Sequence, residues 1–365
     1  MTNKPRFVGE KNSGATVKDL CTVDNGFAFD SKLFNSDGNG MPIIRIRDIK
    51  PGVTNTYTTE ACDSRYLVND GDMLIGMDGE FNLTKWQSGM ALLNQRVCRI
   101  RSNSTQLLDD YLRYFLPVAL KYIEARTACV TVKHLSSKVL NAVEIPLKPL
   151  EEQRAIVLRL DNIQRQIDIA RSQLSQLDQL VKSRFVEMFG NCQNRVRLSE
   201  VCGTFNGDRG KNYPSGNDRT DEGVPFVNAG HLKNGRVLFD EMDYITEDRY
   251  ELLSGGKIQR GDLLYCLRGS LGKCAIADFD KGTIASSMMI IRPDRTKILS
   301  LYLFQVLTSP DIDRQLKLFE NGSSQPNLSA KSVASYLIPL PNLRDQQEFA
   351  DFVAQIDKSR FSRHS

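Results

Sequence analysis

The chain has 365 residues, 41% of them hydrophobic, and a formal net charge of +4. That length predicts two or three domains with proper cores. The charge excludes a protein held to nucleic acid by bulk phosphate attraction alone: residues 1–145 carry +2 (18 basic − 16 acidic) and residues 191–337 carry +1 (19 − 18).

The N-terminal stretch MTNKPRFVGEKNSGAT has no apolar signal core, and no run approaches the ~18 apolar residues of a membrane span, so a soluble cytoplasmic protein is expected. Short β-rich runs follow, PIIRIRDI (42–49), DMLIGM (72–77) and NQRVCRI (94–100), separated by Gly-, Asn- and Asp-rich loops. A helix is predicted at LLDDYLRYFLPVALKYIEA (107–125). IPLKPLEEQRAIVLRL (145–160) then puts Pro146 and Pro149 before an uninterrupted run, which reads as a strand end feeding a helix start. Glu151 and Glu152 suit the positive end of that helix dipole.

The helix is strongly periodic. Ile156, Leu160, Ile163, Ile167, Ala170, Leu174, Leu177 and Val181 are spaced 4-3-4-3-4-3-4, the apolar seam of a coiled coil, and nothing breaks it before Gly190. About 39 residues rising 1.5 Å each give roughly 58 Å of rod. Beyond it the β-rich runs PFVNAGHL (225–232), DLLYCL (262–267) and MMIIRP (288–293) precede a helix expected at ILSLYLFQVLTSPDIDRQLKLF (298–319). The last segment, IPLPNLRDQQEFADFV (338–353), echoes the earlier one 193 positions on (338 − 145).

The echo is part of a longer repeat. HLSSKVLNAVEIPL (134–147) matches NLSAKSVASYLIPL (327–340), NDGDMLIGMDGEFN (69–82) resembles QRGDLLYCLRGSLG (259–272), and MPIIRIRDIK (41–50) resembles VPFVNAGHLK (224–233). VKDLCTVDNGFAF (17–29) parallels LSEVCGTFNGDRG (198–210), and the offset drifts only from 181 (198 − 17) to 193. A repeat of this length means two globular α+β domains, each followed by a helix, rather than a solenoid. Shifted by 193, Phe349, Val353 and Ile356 fall on the seam positions of Ile156, Leu160 and Ile163, and Arg360 falls on that of Ile167. The second helix therefore covers only part of the first, and Ala170, Leu174, Leu177 and Val181 are expected to need cover from a partner.

Catalytic signatures are missing. There is no Gly-x-x-x-x-Gly-Lys-Ser/Thr loop and no Asn/Asp-Pro-Pro-aromatic stretch, and RGSLGK (268–273) is too short for a nucleotide loop. His134, His231 and His364 lie apart without metal-ligand spacing. Asp70/Asp72 and Asp109/Asp110 fall where turns and helix starts use acids as caps. Cys21, Cys62, Cys98, Cys129, Cys192, Cys202, Cys266 and Cys274 include no Cys-x-x-Cys pair and read as small buried apolar residues in a reducing compartment.

The polar pattern is more informative. Arg45 and Arg47 alternate along one expected strand, and Arg96, Arg99 and Arg101 cluster near another. Arg209 and Lys211 sit in the loop NGDRGKNYPSGND, Asn228, His231 and Lys233 follow a strand, and Arg268 and Lys273 frame RGSLGK. Such side chains read donor and acceptor patterns at base edges, while Gly-rich backbone admits phosphate. The DNA-contact candidates are Arg45, Arg47, Lys85, Arg96, Arg209, Lys211, Asn228, His231, Lys233, Arg268, Lys273 and Gln325.

Two variable α+β domains, each ending in an IPL-P-L-EQ phrase and a helix, resemble the specificity subunit of type I restriction-modification enzymes. The resemblance rests on IPLKPLEEQRAI with its helix to FVEMFG, on IPLPNLRDQQEFA, and on the NDGDMLI and RGDLLY turns, and covers essentially the whole chain. It implies two target recognition domains (1–147 and 191–340) joined by a central spacer helix (148–190) and a short distal one (341–365), packed antiparallel about a pseudo-two-fold axis. It also implies double-stranded DNA as ligand, a bipartite target, and a non-catalytic role beside two adenine methyltransferase subunits that bind S-adenosylmethionine, with nuclease subunits optional. A DNA-specificity subunit of a related defence system without methylation and a coiled-coil scaffold without a DNA role remain alternatives. The spacer-packing residues expected are Ile156, Leu160, Ile163, Ile167, Leu174, Leu177, Val181, Phe349, Val353 and Ile356.

Overall fold

The computed structural model describes residues 14–127, 133–210, 213–319 and 327–361. The chain divides into two compact units, 1–169 and 170–365. Among the described residues no helix is long and apolar enough to cross a membrane.

In the first unit, strands Cys21–Asn25, Val97–Ser102, Met73–Gly76 and Leu83–Lys85 form an antiparallel sheet in that order. A second sheet runs Phe34–Asn35, Tyr57–Thr58, Met41–Ile44, Ala91–Leu93, Leu67–Val68, and its Met41–Ile44/Ala91–Leu93 pair is parallel. Met73–Gly76 reads as an unbroken apolar run because every one of its residues is buried. Its Met73 and Ile75 meet the helix Asp109–Arg126 through Tyr111, Leu112, Leu116, Ala119 and Leu120, while Leu74 enters a separate cluster around Trp86. The helix runs through Pro117. Lacking an N–H, Pro117 cannot pair with the carbonyl of Arg113.

The second unit repeats this plan. Strands Cys202–Asn206, Met288–Pro293, Leu263–Cys266 and Cys274–Ile276 lie side by side, extended by Arg236–Val237 and Leu232–Lys233. A four-stranded sheet pairs Val224–Val227 in parallel with Thr283–Ile284, the counterpart of the parallel pair in the first unit. The α+β class is as the sequence predicts. The single helix expected over 298–319 is instead two, Ser300–Leu307 and Pro310–Phe319. Pro310 disfavours helical geometry at Ser309, and the Thr308 and Ser309 amides close the first helix on Phe304 and Val306 carbonyls.

Two helices follow the repeated phrases, Leu150–Phe189 and Leu343–Phe361. In the second unit they run antiparallel: Arg184 pairs with Glu348 at 3.1 Å and Arg360 with Asp178. Phe349 is fully buried and stacks edge-on against Phe185 (5.6 Å) and Phe189 (5.7 Å), with Tyr302 4.9 Å from Phe189. Val181 and Val353 are buried in the same cluster, with Ile356 packed at its margin. This corrects the expectation that Val181 needs a partner. At the other end, Ile156 and Val157 pack on the core of the first unit, and Leu160 is half-buried. Between these ends Ile163, Ile167 and Leu174 are 56%, 40% and 47% exposed, Ala170 is exposed, and Leu177 is half-buried. The 193-residue register thus does not pair the two seams. An antiparallel helix sets its own first turns beside the end of the longer one, and each unit takes its own stretch of seam.

Candidate nucleic-acid interface

The two units carry the same turn at the end of a central strand. After Met73–Gly76 come Met77, Asp78 and Gly79, and after Leu263–Cys266 come Leu267, Arg268 and Gly269. Gly79 (φ +69°) and Gly269 (φ +74°) both adopt the left-handed conformation that lets the chain turn back. Two bonds of the framework are matched. The Met77 amide donates to the Arg96 carbonyl and the Leu135 amide to the Met77 carbonyl; Leu267 donates to Ser287, and Leu328 to Leu267. Position 78 therefore answers to 268, 96 to 287 and 134 to 327.

On this common frame the side chains differ. Asp78 accepts Arg96 at 3.1 Å through Oδ2 and lies 2.6 Å from His134 Nδ1 through Oδ1. At the equivalent place Arg268 donates its Nε to Asn327 Oδ1 at 3.2 Å. Each turn lines a cleft. In the first unit Asp78, Gly79 and Glu80 meet Arg47 and Lys50 around about 400 Å³. In the second, Arg268 and Arg209 share about 800 Å³ with Asn206, Asp208, Ser254, Phe319 and Asn327. Asp208 shapes that cleft, accepting the Ser254 amide at 2.8 Å and its hydroxyl at 2.5 Å. In the first, Glu80 is held below the usual carboxylate range by hydrogen bonds from Asn82 and Lys50 and by the charges of Lys50 and Lys121.

Other candidates stand elsewhere. Arg45 and Arg47 do not alternate on a strand: the Asp48 carboxylate accepts the Arg45 amide at 2.8 Å and winds Ile46–Asp48 into a 3-10 turn. Arg47 is exposed and bonds Thr56, while the Arg45 guanidinium lies over the Phe34 ring. Arg99 is buried between Asp24 and Asp72, and Arg101 also reaches Asp24. Lys85 pairs with Asp110 on the adjacent helix. Asn228 caps its own turn, accepting the Gly230 amide and donating to Asp243. His231 is buried, with Nδ1 accepting the Asn228 amide and Nε2 facing the Glu241 carbonyl. Lys273 donates to the Ala229 carbonyl at 2.7 Å, and Lys233 is exposed on a short strand. Lys211, Gln325 and Cys129 lie outside the described residues. The first cleft therefore holds Arg47, with Arg96 joined to it through Asp78, and the second brings Arg209 and Arg268 together.

Two matches to one family model, described as the type I restriction modification DNA specificity domain, span residues 11–179 and 193–363, one per repeat. The chain belongs to this family. The specificity subunit of the type I restriction enzyme EcoBI from Escherichia coli is 30% identical over 93% of this chain and 78% of its own length. The MjaVIII specificity subunit of Methanocaldococcus jannaschii is 21% identical over 87% of this chain and 79% of its own length. Among solved structures, the type I S subunit from M. genitalium shares the fold, with a TM-score of 0.56 at 15% identity over 99% of this chain and 93% of that one.

As a DNA-specificity chain it needs readers rather than catalysts, and among the described residues no cluster of His, Cys, Asp and Glu has the arrangement of a metal site. The sequence pointed to Arg96 and Arg268 but not to the oxygens that hold them, Asp78 and Asn327. The signal was present in the aligned pairs MDGE/LRGS and HLSS/NLSA, where a changed residue precedes a shared Gly or Leu-Ser.

Proposed function

We propose that each unit reads one half of a bipartite, asymmetric DNA target, and that the chain directs adenine methylation carried out by partner methyltransferase subunits. The observation that carries this is the pair of strand-end turns. Both are anchored by the same pair of backbone bonds, through Met77 and Leu267, yet Asp78 stands where Arg268 does, so one frame presents two different polar surfaces. Two readers of unlike half-sites require that combination. S-adenosylmethionine belongs to the methyltransferase in this reading, and DNA as substrate supports a cytoplasmic complex. A solved type I restriction-modification assembly, described for its complex assembly and conformational transition, contains a chain of this fold (TM-score 0.51, 16% identity), which supports partner subunits here.

The test is a genome-wide map of N6-methyladenine with and without the gene. Loss of one bipartite, asymmetric motif on deletion is the expected result. An unaltered map in cells that express the chain together with its methyltransferase would overturn the reading.

A further inference from the structure

Each unit presents one tethered guanidinium at its strand-end turn, but from different positions. In the first unit it is Arg96, 56% exposed at the side chain and fixed through Nη1 by Asp78. In the second the equivalent of Arg96 is Ser287, and the guanidinium belongs to Arg268, exposed and fixed through Nε by Asn327. Both side chains are exposed and neither has another side-chain hydrogen-bond partner among the described residues, so one edge of each planar fork is held and N–H donors of the other remain to be used.

The frame around these turns is preserved where folding demands it. Tyr111 and Tyr302 donate to Pro146 and Pro339 carbonyls at the same 2.9 Å. Asp72 and Asp262 each take an arginine from the neighbouring strand, Arg99 and Arg292. Against that constancy, the change from Asp78 to Arg268 and from Arg96 to Ser287 relocates a guanidinium while the two framework bonds through Met77 and Leu267 are kept. The fold does not ask for this difference.

Charge separates a base contact from a phosphate contact. A phosphate rewards net positive charge, and at Arg96 the Asp78 carboxylate 3.1 Å away cancels it. The N–H donors survive that cancellation. A neutral acceptor edge suits them better, and guanine O6 and N7 form the pair that an arginine fork matches in the major groove.

We infer that Arg96 and Arg268 are the guanine-reading residues of the first and second units, each oriented by a positioning residue, Asp78 and Asn327. This rests on the half-site reading above, and deepens it by naming the base and the side chains.

The experiment maps methylated motifs for the complete complex with its methyltransferase, carrying Arg96→Ala, Arg268→Ala or Arg268→Lys, and measures binding to a matched duplex across salt concentrations. Arg268→Ala is expected to relax one G·C position in one half-site, lowering discrimination there by about 10-fold to 100-fold, while the other half-site is unchanged. Arg96→Ala relaxes one position in the opposite half-site, and Asp78→Asn relaxes that same position with an unchanged melting temperature. Arg268→Lys, which keeps the charge but not the fork, behaves like the alanine variant. An unchanged motif with uniformly weaker binding and a salt slope smaller by about one would make these phosphate contacts and overturn the inference. So would full recovery of discrimination by Arg268→Lys. Should the unsubstituted complex methylate no bipartite motif, the half-site reading itself fails; a normal motif that the variants leave intact sinks only the residue assignment.

Discussion

Gln153 and Gln346, 193 positions apart (346 − 153), make the same three hydrogen bonds in their separate units. Gln153 Oε1 accepts the Leu108 amide at 2.9 Å, and its Nε2 donates to the carbonyls of Gln106 and Lys148. Gln346 Oε1 accepts the Leu299 amide at 2.9 Å, and its Nε2 donates to those of Lys297 and Pro341. Both side chains are fully buried. Each ties the first turn of the helix after the proline phrase to the loop before the helix of the globular core. Each also satisfies partly buried backbone groups.

Replacing Gln346 with Leu keeps the volume and leaves one amide and two carbonyls unpaired. Stranded buried groups cost about 1–3 kcal/mol each, and partial relaxation brings the expected loss to about 3 kcal/mol for the second unit. Gln153→Leu does the same to the first. Denaturant unfolding of the two variants checks this; a change below about 0.5 kcal/mol would show that the amide is incidental.

Burial decides the cysteine chemistry. The thiols of Cys21, Cys98 and Cys202 are pushed up to about 12 and that of Cys266 to about 11, in each case chiefly by desolvation. Cys62 and Cys192 are only partly buried, unlike the uniformly buried cysteines expected from sequence. Native alkylation at pH 8 followed by peptide mass spectrometry is expected to label Cys62 and Cys192 first and the five buried thiols, Cys274 among them, more than 100-fold more slowly. Equal rates at all seven described sites would mean that the cores open far more readily than their packing implies.

Asp161 gives a pH signature. The Tyr114 hydroxyl donates to its Oδ1 at 2.6 Å, and the Arg113 guanidinium lies at the same distance. The hydrogen bond from Tyr114, then that from Arg113 and its charge, holds the carboxyl below the usual carboxylate range. A folded value below the unfolded one of about 3.9 means stability fully present above about pH 4 and lost as pH falls through the depressed value. Since Asp161 is 38% exposed at the side chain, the gain is screened to about 1 kcal/mol or less. Asp161→Asn should therefore melt lower than the native chain at pH 7, with the gap closing as pH falls below about 4. A gap that persists or widens in acid would assign the loss to something other than ionisation.

Much of this fold is legible in the sequence because repetition and periodicity report backbone. The strands at Met73–Gly76 and Leu263–Cys266, the helix from Leu150 and the doubled organisation all follow from apolar runs, prolines and matched phrases. What failed were features set by single side chains. Asp48 and Asn228 curl the chain into 3-10 turns where alternation suggested strand, because a carboxylate or amide oxygen accepts amides two or three residues away. Pro310 splits a helix whose periodicity runs straight through it. The site was half legible: exposed arginines can be nominated from composition, but which of them are spent on ion pairs depends on neighbours distant in sequence. Arg99 looked equivalent to Arg96 and is buried against Asp24 and Asp72, while Arg96 stays at the surface.

The exposed stretch of the central helix invites the last prediction. Ile163, Ile167 and Leu174 are 56%, 40% and 47% exposed and join none of the core clusters among the described residues, whereas Ile156 and Val181 at either side are engaged by their own units. A seven-residue insertion between Ile167 and Leu174 that continues the heptad adds about 10 Å of helix and about two full turns, and it touches no packed side chain. Both units should therefore fold as before, with melting behaviour unchanged. If the helix spaces the two readers, the methylated motif should keep both half-sites and lengthen the gap between them by about three base pairs, at roughly 3.4 Å per base pair. Mapping methylation in cells carrying the insertion checks this directly. An unchanged gap with full methylation would show that something other than this helix sets the separation.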